Sequence, residues 1–224
     1  MSQTVLAVDV GGSHVKLLLS EGAPERRRFE SGSELKPQET VEQSLALATG
    51  WSYDVVSVGV PAPVRGGKVL LEPVNLGTGW VGFDFERAFG KPTKVVNDAA
   101  MQALGSYEGG KMLFLGLGTG LGSALVLPGS VQPMELAHLP FRKKTFEDYV
   151  GERGRQKLGN KKWRAATLET VERLSAALQA EYVVLGGGNA KHMDDLPENV
   201  RLGENENAFV GAFRLWDPDA PSVD

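Results

Sequence analysis

Cysteine is missing altogether from the 224 residues. That absence excludes disulfides, thiolate metal ligation and a cysteine nucleophile, and it suits a reducing compartment. Excess positive charge is missing too: 24 Lys and Arg stand against 28 Asp and Glu, a formal charge of −4. No overall basic field therefore exists to release counterions from a nucleic acid. No apolar run reaches membrane-spanning length, no basic segment precedes the first apolar run, and no low-complexity linker interrupts the chain. The expectation is a cytoplasmic protein with no membrane or nucleic-acid partner. What remains is an ordinary globular composition, 42% hydrophobic and 23% charged, long enough for one large domain or two small ones.

Glycine is plentiful, and its placement organises the reading. Val5–Val10 and His14–Leu19 are apolar, branched runs of buried-strand character, joined by Gly11-Gly12-Ser13. A turn built from Gly11 and Gly12 lets a phosphate approach backbone N–H groups that a Cβ would shield, and Asp9 at the end of the first strand could face a phosphate-bound metal. Taken alone, the stretch is equally an ordinary tight hairpin. The pattern returns about a hundred residues later: Met112–Leu117, a turn Gly118-Thr119-Gly120, then Leu121–Leu127. A third turn, Gly186-Gly187-Gly188-Asn189, follows the buried strand Tyr182–Leu185. Two similar halves, each opening on such a turn, suggest a cleft that holds a phosphate chain between them.

Between these landmarks the sequence predicts an exposed strand Arg26–Glu30, a helix Pro37–Ala48 and a buried strand Val55–Val60 stopped by Pro61 and Pro63. A short strand Val69–Leu71, a loop Leu76–Trp80 and a short helix Phe83–Phe89 come next. A strand Lys94–Asp98 ends on two polar residues before a helix Ala99–Tyr107, with Asp98 near its cap. Further on come a helical stretch from Phe146 and a long helix Trp163–Ala180 with Leu168, Val171, Leu174 and Leu178 on one stripe. A closing helix Asn207–Trp216 and an acidic, frayed tail Asp217–Asp224 complete the prediction.

G-x-x-x-x-G-K-[ST] does not occur, and none of the three glycine turns satisfies G-x-G-x-x-G, so at these turns the commonest nucleotide-binding motifs are excluded. Two glycine-rich hairpins facing each other remain. Asp9-Val-Gly-Gly-Ser13 and Leu115–Gly122 resemble the two phosphate motifs of the actin, sugar-kinase and heat-shock chaperone superfamily, and Gly186–Gly188 resembles its adenosine motif. Within it, Pro73-Val-Asn75, Trp80, Asn97-Asp98 and Glu135-Leu-Ala-His138 resemble the ROK family of sugar kinases and repressors. Lys191 after the third turn and Val210-Gly211-Ala212 point to its polyphosphate glucokinase branch.

The resemblance implies an α/β, two-lobed ribonuclease-H-like (actin-like ATPase) fold with the active site in the interlobe cleft. Residues 1–98 would form one lobe, completed by a helix at about 207–217, and 99–206 the other. It implies a hexose kinase, with Asp98 as general base on the sugar hydroxyl that attacks the terminal phosphoryl group. Asn75, Asn97, Glu135, His138 and Glu147 match sugar-binding positions. Gly11, Gly12, Ser13, Lys16, Gly118, Thr119 and Gly120 match phosphate-binding ones; Gly187, Gly188 and Lys191 match the donor site, and Asp9 a magnesium site reached through water. A sugar, a phosphoryl donor, Mg2+ and a possible homodimer are the implied partners.

Two departures stand out. The family's cysteine-rich zinc motif has no counterpart, so no structural zinc is expected, and Ala137 replaces the glycine before the histidine. The donor stays open between ATP and polyphosphate. From Arg142 to Arg164, nine basic residues face three acidic ones, a band that could steer a polyanion or simply form a solvated helix face. Glucose is the expected acceptor. A ROK kinase for another sugar, such as an N-acetylated amino sugar, and a non-catalytic sugar-binding or regulatory protein are the alternatives.

Overall fold

The computed structural model of the chain describes residues 3–22, 25–204 and 206–223. Its first half builds a five-stranded sheet from β1 (Val5–Val10), β2 (His14–Leu19), β3 (Arg27–Glu30), β4 (Val55–Val60) and β7 (Thr93–Asn97), in the order β3-β2-β1-β4-β7. Helix α1 (Pro37–Leu47) precedes β4. A small hairpin of β5 (Val64–Arg65) and β6 (Lys68–Val69) and helix α2 (Phe85–Phe89) follow it. The two central runs, β1 and β4, are buried along their whole length, as their predominantly apolar sequences, interrupted by Asp9 and Ser57, require. In β2 the alternation is two-sided: Val15, Leu17 and Leu19 face the core while His14, Lys16 and Leu18 lie half-exposed.

Helix α3 (Asp98–Ser106) leads to a six-stranded sheet of order β14-β13-β8-β9-β10-β15. Its strands are β8 (Met112–Leu117), β9 (Leu121–Leu127), β10 (Ser130–Met134), β13 (Tyr182–Gly186), β14 (Val200–Leu202) and β15 (Ser222–Val223). Between β10 and β13 run a two-stranded hairpin of β11 (Pro140–Phe141) and β12 (Lys144–Thr145), then α4 (Phe146–Val150) and α5 (Glu152–Leu178). Helix α6 (Asn207–Arg214) precedes β15. No described helix is long and apolar enough to cross a membrane.

Helix α3 is the seam of the molecule. It packs on β4 and β7 of the first sheet, on β8, β9, β10 and β13 of the second, and along α6. Helix α6 in turn lies on β1 and β4, where Ala208, Phe209 and Ala212 share a core with Ala7, Val96 and Met101. The two helices cross closely because each carries a glycine at the contact. A Cβ on Gly105 would overlap the Asn207 carbonyl, and one on Gly211 the Met101 carbonyl.

Several boundaries differ from those the sequence predicts. The long helix begins at Glu152 and is interrupted at Gly159, whose φ of 73° and ψ of 158° are open only to glycine. The short helix starts at Phe85, with Asp84 accepting from the Arg87 N–H as its cap. Lys68–Val69 forms the predicted short strand, but Leu70 and Leu71 are exposed beyond it. The tail is not frayed over its described part: Ser222 and Val223 pair in parallel with Ser130 and Val131 as the outermost strand of the second sheet. Asp224 lies outside the described residues.

Candidate active site

Strands β1, β4 and β7 run parallel, so their carboxyl ends, Asp9 to Gly11, Pro61 to Ala62 and Asn97 to Asp98, emerge on one edge. Strands β8 and β13 are parallel to each other as well, bringing Gly118 and Gly187 out together. Carboxyl ends of parallel strands are where open α/β sheets bind ligands.

The first glycine hairpin is held from behind. Ser31 donates its hydroxyl to the Gly11 carbonyl at 2.6 Å and its N–H to the Ser13 carbonyl at 3.0 Å. The Gly11 N–H closes the turn on the His14 carbonyl. Among the described residues the N–H groups of Gly12 and Ser13 have no acceptor, and a Cβ on Gly12 would sit 3.6 Å from the Asn75 Cβ. The second hairpin follows the same plan. Gly118 O accepts from the Glu152 N–H at 3.0 Å and the Asn189 side chain at 3.1 Å, and Thr119 O accepts from Glu152 at 3.2 Å. The N–H groups of Thr119 and Gly120 are left without an acceptor among the described residues. With carbonyls tied back and N–H groups free, each turn is suited to an anion. Gly187, at φ 81°, backs directly onto Leu117, locking the third turn to the second. Lys191 lies exposed on the short turn Ala190–His192.

Asp9 is 6% exposed, and its Oδ2 accepts from the Lys16 ammonium at 3.2 Å. Among the described residues no group of three or more His, Asp or Glu side chains could cage a metal. One buried carboxylate beside a phosphate-suited turn fits magnesium, which keeps most of its waters and is held by few carboxylates together with substrate phosphates.

Asn97 and Asp98 occupy the β7–α3 junction. The helix cap is Asn97, not Asp98: its side-chain oxygen accepts from the Ala100 N–H at 3.1 Å, and its amide donates to the Ala62 carbonyl at 3.2 Å. Capping thus explains a buried asparagine at a strand end, and one amide proton remains for a ligand. Asp98 is the first helical residue, half-buried, accepting from its neighbour's N–H at 2.8 Å. Burial first, then the charge of Asp9, pushes its carboxyl up to about 7; the Ala99 N–H opposes this, and Glu135 adds to it. Asp98 therefore sits in one electrostatic neighbourhood with both the hairpin carboxylate and the Glu135 turn.

Glu135, Leu136, Ala137 and His138 form a tight turn pinned by Ser123, which accepts from the Leu136 N–H and donates to the Met134 carbonyl. Ala137 is buried in the core with no left-handed backbone, so the missing glycine strains nothing. Glu135 is exposed as a residue, yet desolvation raises its carboxyl above the usual range; His138 opposes the shift and Glu147 adds to it. Glu147, from α4, rests its carboxylate against Gly120, where a Cβ would overlap it. Sequence reasoning named these residues but missed the supports Ser31, Ser123 and Asn189. Of the three, only Asn189, next to three glycines, carried a local signal.

No protein-family profile matches the chain, and no functionally curated protein matches it significantly. Solved structures do. A polyphosphate/ATP-glucomannokinase from Arthrobacter sp. strain KM superposes at a TM-score of 0.80 with 23% identity, over 94% of this chain and 97% of that one. A ROK-family glucokinase from Streptomyces griseus, in complex with glucose and AMPPNP, gives 0.76 with 15% identity over 95% and 98%. A ROK-family transcriptional regulator homologous to the E. coli MLC protein gives 0.69 with 14% identity over 96% and 78%. The chain has the actin-like α/β fold of the ROK sugar kinases.

Proposed function

We propose that this protein is a ROK-family hexose kinase, transferring a phosphoryl group to a sugar hydroxyl, the 6-hydroxyl of glucose first among candidates. One observation carries the reading. Asp98, at the carboxyl end of β7, emerges on the same sheet edge as Asp9 and the first glycine hairpin at the end of β1. Burial, with the charges of Asp9 and Glu135, raises its carboxyl. A base poised between a phosphate cradle and a polyol-binding turn is what phosphoryl transfer to an alcohol needs.

In this reading Asn75, Asn97, Glu135, His138 and Glu147 hold the sugar hydroxyls. Each buried hydroxyl left unpaired would cost roughly 1–3 kcal/mol. The free N–H groups of Gly12, Ser13, Thr119 and Gly120, with Lys16, grip the transferred and donor phosphates. Gly187, Gly188 and Lys191 face the rest of the donor. Asp9 would hold magnesium through water, and the metal would offset charge on the phosphates. As the sugar oxygen bonds to the terminal phosphorus and the donor oxygen leaves, Asp98 takes the hydroxyl proton. The lobes would be 1–98 with 207–217, and 99–206, closing to exclude water.

Polyphosphate stands beside ATP as donor, as the glucomannokinase's name states for that enzyme. Within the basic band, Arg142, Lys144, Arg155 and Arg164 are paired with acidic side chains. Lys157, Lys161 and Lys162 are exposed along α5 without such a partner among the described residues, which leaves them for a polyanion. A regulatory protein is the second reading, favoured by the regulator among the structural neighbours; a pure binder has no use for Asp98.

The test is a coupled hexose-phosphate assay over a sugar panel, with ATP and polyphosphate as separate donors and Asp98→Asn alongside. Turnover with at least one pair, lost in the variant, is expected. No turnover with any pair sinks the kinase reading in favour of the regulator.

A further inference from the structure

The hairpin of β11 and β12 turns at Arg142, whose φ of 53° is a left-handed conformation that a side chain bearing a Cβ rarely adopts. Its guanidinium is tied on three sides. It pairs with Glu169 of α5, lies over the Phe141 ring at 5.0 Å and over the Tyr149 ring at 5.3 Å. Glu169 also binds Arg173 at 2.7 Å, and Arg173 covers Phe141 at 5.4 Å. Phe141 is fully buried, stacked on Phe146 at 4.7 Å and met edge-on by Tyr149 at 5.3 Å.

This assembly holds the segments that carry the residues proposed to bind the sugar. Phe146 and Tyr149 flank Glu147 on α4, and the Phe146 N–H donates to the carbonyl of Leu139, next to His138. Glu147 rests on Gly120, and the Glu135 carboxyl senses both His138 and Glu147. An isolated surface ion pair contributes little. Here one carboxylate joins two guanidiniums over aromatic faces, where cation–π attraction and planar geometry reinforce the pair.

We propose that Arg142 is a positioning residue for the sugar, holding the two segments that carry His138 and Glu147 in register by stapling the β11–β12 hairpin to α5. The proposal rests on the kinase reading. The staple acts first on the acceptor wall, because Arg142 touches neither Glu152 nor Asn189, the residues that hold the carbonyls of Gly118 and Thr119.

The test compares wild type, Arg142→Gly, Glu169→Gln and the double variant in steady-state kinetics with glucose and the donor varied separately. Glycine suits the left-handed turn, so Arg142→Gly removes the staple without adding backbone strain. Glu169→Gln, at a partly exposed helix position, removes the charge alone and guards against a variant that fails to fold. Each single change should raise the sugar KM about 5–20-fold, with kcat and donor KM within about 2-fold. The double variant should be no worse than the worse single one, because both break one network. An unchanged sugar KM in Arg142→Gly, a donor KM rising in step, or fully multiplicative effects in the double variant would overturn the proposal while wild type still turns over sugar. A wild type without turnover overturns the kinase reading itself, a distinct outcome.

Discussion

The indole N–H of Trp216 donates to the hydroxyl of Ser57 at 2.9 Å, and that hydroxyl donates to the carbonyl of Ala212 at 2.7 Å. Ser57 lies in the middle of β4 and is fully buried, so this relay fastens the end of α6 to the first sheet. Ser57→Ala leaves a buried carbonyl and an indole N–H without their partner. The expected loss is about 1–3 kcal/mol, read as a lower urea midpoint at unchanged slope. Because the relay stands apart from the cleft residues, sugar KM should not move.

Asp98, pushed up to about 7 chiefly by burial and Asp9, gives pH effects of two kinds. As a base it must be ionised, so kcat/KM falls as pH drops below about 7. Its folded value lies above the ordinary 3.8, so between about 4 and about 7 the native state keeps a proton that the unfolded chain has lost. Its contribution to stability therefore weakens as pH rises through that window. Asp98→Asn should lose roughly 10²–10⁴-fold in turnover. The same variant should melt above wild type at pH 8, with a gain that shrinks towards pH 4, followed by calorimetry across the range. A variant no more stable at pH 8 than wild type would contradict the assignment.

The contact of α3 with α6 allows no side chain at two points. Gly211→Ala sets a Cβ against the Met101 carbonyl, and Gly105→Ala sets one against the Asn207 carbonyl. Backbone cannot swing aside as a side-chain tip can, so either change should destabilise by about 3 kcal/mol or more. Soluble yield and melting temperature report it.

The two glycine hairpins should respond differently to small changes. Ser31→Ala frees the Gly11 carbonyl from its hydroxyl, loosening the first hairpin, and should raise donor KM several-fold with little effect on sugar KM. Gly120→Ala would push on the Glu147 carboxylate, a flexible tip, so the fold should survive while sugar KM rises. Steady-state kinetics with each substrate varied in turn separates the two outcomes.

How much of this was legible in the sequence depended on whether the cause was local. Val5–Leu19 and Met112–Leu127 announce themselves as strand, glycine turn, strand, and Asn97-Asp98 as polar residues closing a buried strand. The break at Gly159 was hidden, because one glycine in a polar, helix-forming stretch gives no sign of the positive φ it adopts. The strand Ser222–Val223 was hidden in an acidic, proline-bearing tail; its partner lies 92 positions earlier, beyond any local pattern. The charges of 142–164 were plain, but not their neutralisation, since Glu169 and Asp194 lie outside the band. Asn97 was read as a ligand; its capping of α3 depends on where the helix starts to within one residue.

Helix α6 also sets the order in which the chain can mature. Much of the cover over the face formed by Ala7 and Val96 comes from Ala208, Phe209 and Ala212, which follow β4 by some 155 positions, as the Ser57–Ala212 bond measures. During synthesis, at roughly 5–20 residues per second, the first sheet must wait with much of that apolar face open until α6 has emerged. Its docking is a late, long-range closure, and in the interval the nascent first half is the species most exposed to aggregation and to chaperone capture.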